Sequence, residues 1–127
     1  MKRLAPVLAV ALIAALPACT KELQAPTDTG VCWHMAQIPG GRVRFNKVAE
    51  NISSVEKCAV ALDVMRLRFL GLGGSQQSIY GAYQGQFLFL SNEGVFVGQH
   101  INGGRYLLLV PTGDGRLVKP GAMPIQQ

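Results

Sequence analysis

Charge is scarce in this chain. Lys, Arg, Asp and Glu together make 15% of its 127 residues, and the net charge is +5. No basic run occurs; Arg42, Arg44, Arg66 and Arg68 are scattered over separate elements or faces. Binding to nucleic acid needs a concentrated basic footprint, so that class is excluded. Soft metal ligands are few as well. The chain has two histidines and three cysteines. A metal site would need Cys32, His34, Cys58 and His100 to converge, so neither metal nor cofactor is expected. Long apolar runs are missing too. The longest, Leu4 to Ala18, falls short of the ~20 residues of a transmembrane helix and contains Pro6 and Pro17. No phosphate-cradling loop is present. Gly71-Leu72-Gly73-Gly74 follows a helical pattern and opens a strand pattern, the reverse of the order such a loop requires. Gly74-Ser75 lacks the frame of a nucleophile elbow.

What is present begins at the N-terminus. Lys2 and Arg3 precede the uncharged run, the layout of a secretory signal peptide over residues 1–18. The run ends in Leu16-Pro17-Ala18-Cys19. This resembles the lipobox of bacterial lipoproteins, with Pro17 where Ala or Ser is usual. The resemblance implies cleavage before Cys19, acylation of Cys19 (palmitate included) and attachment to the membrane. Thr20 in place of Asp then implies an outer-membrane lipoprotein facing the periplasm. The alternative is plain cleavage that leaves a soluble periplasmic protein. It would place Leu16 at the −3 position, where a small residue is preferred.

Three cysteines leave one over if all pair. Assigning Cys19 to lipid leaves Cys32 and Cys58, and an exported compartment is oxidising. A Cys32–Cys58 disulfide is expected, contributing ~3.5 kcal/mol by the chain-entropy account.

The remainder suits one domain. Residues 19–30 read as a linker on the strength of KELQAPTDTG, which is polar and holds Pro26 and Gly30. The domain is expected over 31–119, with a flexible Pro/Gln-rich tail over 120–127. IPGG at 38–41 marks a turn, followed by the short alternating strand Arg42 to Phe45. Asn51 to Gly71 carries helical periodicity. Ser53 with Glu56 forms a capping-box pattern, Asn51 is a second candidate cap, and Gly71 suits the C′ position. Ile52, Val55, Cys58, Ala59, Leu62, Met65 and Phe69 project as one stripe. Val60, Val64 and Leu67 form a second stripe. Arg66 falls inside the first and must snorkel or pair, with Asp63 three residues back as a candidate partner. Glu56 and Asp63 share a face that reads as solvated. Strands follow at 78–83, 86–91, 95–100 and 105–110, with a possible edge strand at 116–119. Turns at SNEG, INGG and PTGDG separate them. The expected fold is α+β: one long helix on an antiparallel meander of about four to five strands.

Phe87-Leu88-Phe89-Leu90 and Leu107-Leu108-Leu109-Val110 do not alternate, so their side chains address both faces of the sheet. One helix covers one face. The other needs cover from Val31 to Pro39 (with Trp33 and Met35), a second copy, a partner or a ligand. The function expected from this pattern is a non-catalytic protein-interaction module, with an envelope protein or a second copy as partner, met through the second sheet face or an exposed edge strand. The first alternative is a small-ligand or glycan binder, its pocket lined by Trp33, Tyr80, Tyr83 and Tyr106. The second is a small hydrolase-like enzyme using His34 or His100, which requires a titratable neighbour at one of them.

Overall fold

A computed structural model describes residues 22–74 and 78–121. The signal peptide, the lipobox and Cys19 lie outside the described residues, as does most of the expected tail.

The described residues form seven strands and one helix in the order β1 (Cys32–Ile38), β2 (Arg42–Ala49), α1 (Val55–Gly71), β3 (Ile79–Tyr83), β4 (Gln86–Ser91), β5 (Gly94–Gly98), β6 (Tyr106–Pro111) and β7 (Leu117–Val118). They form a single sheet ordered β2-β1-β3-β4-β5-β6-β7, antiparallel throughout. From β3 onward this is the expected meander. The expected four to five strands were too few. Val31 to Pro39, read as cover for the sheet, instead holds the inner strand β1, next to the edge strand β2. CWHMAQI carries only one β-branched residue, Ile38, so its strand signal is weak. It is held by pairing on both sides: Met35 lies opposite Phe45 on β2 and Tyr80 on β3.

Helix α1 crosses from the edge strand β2 to β3 and lies on one face of the sheet. Its N-cap is Ser54, one residue past the expected Ser53. The Ser54 hydroxyl accepts the Lys57 backbone N–H at 3.2 Å, while Ser53 Oγ meets Lys57 Nζ. Helical residues continue through Gly71, and the left-handed position after the Leu72 cap is taken by Gly73 at φ +89. Cys58, Ala59 and Leu62 are fully buried against the sheet. Leu62 can come this close because Gly81 has no side chain. A Cβ there would stand 2.3 Å from Leu62 Cδ1 and 2.7 Å from the Trp33 carbonyl. Full burial of one such leucine stabilises by ~1.5–3 kcal/mol.

Each face of the sheet has its own apolar cluster. On the helix side Leu62 and Ala59 meet Ile79, Tyr83, Leu88, Leu90, Val95, Val97 and Leu109. On the far side Met35, Ala82, Phe87 and Phe89 are buried, with Trp33, Phe45, Tyr80, Phe96 and Ile101 packed around them. The odd-numbered and even-numbered residues of β4 thus divide cleanly between the two faces.

The far face is covered in part by residues expected to be linker. Ala25 is buried in the far cluster beside half-buried Leu23. The Gly85 N–H donates to the Pro26 carbonyl at 2.8 Å, and the Ile52 N–H to the Gly30 carbonyl at 2.8 Å. The packed domain therefore begins before Val31. KELQAPTDTG looks like a linker because it lacks periodicity; its described part, residues 22–30, is a strap held by backbone bonds at Pro26 and Gly30.

Candidate functional site

Cys32 and Cys58 are joined by a disulfide with Cα atoms 5.3 Å apart. It ties the first residue of β1 to the first turns of α1, and both residues are fully buried. While so bonded, Cys32 has no free thiol to act with His34 as a nucleophile or as a pair of metal ligands. Among the described residues no group of three or more His, Cys, Asp or Glu is placed to hold a metal ion.

The four aromatic residues expected to line one pocket are divided between the two faces. Trp33 and Tyr80 belong to the far cluster, while Tyr83 belongs to the helix-side cluster. The Tyr83 hydroxyl donates to the Ile52 carbonyl at 2.6 Å, a structural bond that pins the loop before α1. Tyr106 lies opposite Val97, on the helix side of the sheet, where its exposed hydroxyl accepts from Gln86 Nε2 at 3.4 Å. Trp33 has Lys47 Nζ 6.0 Å from its ring centre, and its indole N–H is buried with no hydrogen-bond partner among the described residues.

Of the four, Tyr80 lines a hollow that has charged neighbours among the described residues. That hollow, about 370 Å³, is walled by Tyr80, Phe89, Phe96, Glu93 and Arg105 with Ser78 and Ser91. Tyr80 meets Phe89 edge to face at 5.6 Å between ring centres. The Arg105 guanidinium carbon sits 3.4 Å from the Phe89 ring centre, stacked on the aromatic face. Its Nη2 donates to the Ile101 carbonyl at 3.3 Å. Such a hollow can take a flat apolar group and present a fixed cation to an anionic one. Phe89, Phe96 and Arg105 escaped the sequence reading. The odd-position phenylalanines of β4 were a signal for the far face; the seating of Arg105 on Phe89 depends on strand pairing and had none.

The histidines are apart in role. His34 on β1 is half-buried, and loss of solvent lowers its pKa below the ordinary 6.5. His100 is exposed, and its Nδ1 lies 3.1 Å from Glu22 Oε1. The pair supplies the titratable neighbour that an enzyme reading requires. It stands at the rim where the strap begins, and neither residue lines the Arg105 hollow.

Helix α1 carries two features of opposite kind. Arg66 and Asp63 are both buried, at 5% and 6% exposure. Arg66 Nε and Nη2 reach Asp63 Oδ1 at 3.1 and 3.0 Å, and Nη1 donates to Asn92 Oδ1 at 2.9 Å. Asp63, expected on a solvated face with Glu56, is instead half of a buried ion pair that ties the helix to the β4–β5 turn. Conversely, Val60, Val64 and Leu67 are 46%, 51% and 41% exposed. Phe69, expected in the buried stripe, is 49% exposed and Leu72 81%. Phe69 leans on the backbone of Gly74, where a Cβ would fall 2.2 Å from its ring. No helix of the described residues is long and apolar enough to cross a membrane.

No family model matches the chain, and neither the curated proteins nor the solved structures contain one similar to it.

Proposed function

We propose that the chain is a small exported lipoprotein of the bacterial envelope, held by lipid on Cys19 and acting as a non-catalytic protein-interaction module in the periplasm. The observation that carries the interaction reading is the ridge on α1. Val60, Val64 and Leu67 are spaced four and three residues apart, the spacing that lets one helix seat knobs in another. All three are exposed on a helix whose opposite side is already packed. Monomeric proteins rarely leave a contiguous apolar patch open without use. The occupant that fits is an amphipathic helix of another envelope protein. This reading puts the interaction surface on the helix, where the sequence pattern had pointed to the second sheet face or an exposed edge strand. The disulfide supports the exported setting, since such bonds persist in oxidising compartments.

The test is a photo-crosslinking residue at position 64 in living cells, with one at the exposed Arg44 of β2 as control. A discrete heterologous adduct from position 64 alone, lost in the V60E/L67E variant, supports the reading. An adduct of twice the chain mass assigns the ridge to a homodimer. No adduct from either position overturns it.

The Arg105 hollow favours a second reading, a binder of small anionic ligands with a flat apolar part, glycans bearing carboxylates included. Titration of carboxylate-bearing glycan fragments followed by amide chemical shifts tests it. Shifts at Tyr80, Phe89 and Phe96 that vanish in Arg105→Ala support it; an unmoved spectrum removes it.

A further inference from the structure

The strap determines where a lipid anchor would hold the domain. Its first described residue, Glu22, meets His100 at the far face. Leu23 and Ala25 then pack into the far cluster with Ile101, and the Pro26 carbonyl is held by Gly85. The chain is thus committed to the domain from its first described residues. Only Thr20 and Lys21 lie between Glu22 and the lipidation position at Cys19. Those three residue steps span at most ~11 Å when fully extended, whereas a small domain is ~30 Å across. A tether this short leaves little choice about which surface meets the bilayer.

We infer, on the reading of Cys19 as the anchor, that the far face is seated by its 98–105 edge on the headgroup layer of the membrane that holds the lipid. The chemistry of that edge suits a phospholipid surface. Arg105 is exposed, stacked on Phe89 and bonded to one backbone carbonyl, and it forms no ion pair with a described residue. Its remaining N–H groups are free to take a phosphate oxygen. Lys21 adds a second cation next to the anchor. Ile101, half-buried and packed against the aromatic cluster, gives the rim an apolar side chain. Glu93 and Arg105 both line the hollow, so its wall carries both signs of charge. The helix lies on the opposite face of the sheet. Seating the far face on the membrane therefore turns the Val60–Val64–Leu67 ridge outward, to where a periplasmic partner would meet it.

The experiment compares two lipidated full-length chains in vesicles of phosphatidylethanolamine and phosphatidylglycerol. One is native; the other carries a fifteen-residue Gly/Ser spacer, on the order of 50 Å when extended, between Thr20 and Lys21. Intact mass establishes acylation first, then backbone hydrogen exchange is followed in both. In the native chain the amides of residues 98–105 are expected to exchange about tenfold more slowly than in the spacer chain, with the 112–116 turn unchanged. Equal exchange at 98–105 in two acylated chains overturns the seating and leaves the lipoprotein reading intact. A mass without acyl groups overturns both. Slowing along α1 instead of 98–105 assigns the membrane to the helix ridge and overturns the seating.

Discussion

The two faces of the sheet are closed by different means. The helix side is sealed by a regular element, stapled by a disulfide and locked by a buried ion pair. Its core is aliphatic, with Leu62, Leu88, Leu90, Val95 and Val97 almost wholly removed from water. The far side is aromatic and is closed by a strap of irregular chain, with rings covering one another. Its members Trp33, Phe45, Tyr80 and Phe96 stay partly exposed. A helix brings a stripe of side chains and seals continuously. A strap brings Leu23 and Ala25, and the hollow lined by Tyr80, Phe89 and Arg105 stays open on that face. The difference teaches that stability is concentrated on one face and accessible surface on the other, with the helix's outer ridge as a second open surface.

That contrast can be broken most sharply at Arg66. Arg66→Ala leaves Asp63 buried without its cation, and a loss of about 3–5 kcal/mol is expected in urea unfolding. The pairing explanation requires that Arg66→Met with Asp63→Leu recover most of that loss. Next is the disulfide. Cys32→Ser with Cys58→Ala is expected to cost roughly 3.5 kcal/mol, read as a lower midpoint in the same titration. Gly81→Ala tests the close approach of Leu62. The added methyl forces the helix off the sheet, for about 1–3 kcal/mol. On the open side the expectation reverses. Val64→Glu on the ridge should change stability by no more than about 0.5 kcal/mol while abolishing the crosslink from a neighbouring position. The smallest effect is a pH dependence at His34. Burial lowers its pKa below 6.5, so the unfolded chain binds the proton more readily. Stability from this group is complete above about pH 6.5 and is lost as pH falls through that value towards the lower folded-state pKa. The stability difference between pH 7.5 and 5.5 should shrink in His34→Gln.

Much of the helix side was legible in sequence. A 3.6-residue period with cap residues places α1 to within a residue or two, and removing Cys19 from the arithmetic leaves one pairing for Cys32. Arg66 in an apolar stripe announced that it needed a partner, and Asp63 was in reach. Two parts were not legible. Strand β1 has Ile38 as its one β-branched residue and is defined by its neighbours, so its place inside the sheet, between β2 and β3, was invisible locally. The strap has no periodicity because its cohesion runs through backbone carbonyls at Pro26 and Gly30. The aromatic site failed for a different reason. Tyr80 and Tyr83 are three residues apart on one strand, which already sets them on opposite faces. Tyr106 needed the register with Val97 to be placed. The seating of Arg105 on Phe89 is a contact between strands that no single segment contains.

The disulfide has a mechanical consequence for a protein pulled at its N-terminus. Force entering through the strap reaches Cys32 and passes directly to Cys58, bypassing the β1–β2 hairpin between them. The bond spans a sequence separation of 26 residues. Those residues cannot be drawn out, and roughly 90 Å of extended chain is withheld from any stretch. Reduction would restore that length as a measurable increment in single-molecule extension. The covalent link thus acts as a load path, carrying tension from the tether into the helix and sparing the hairpin.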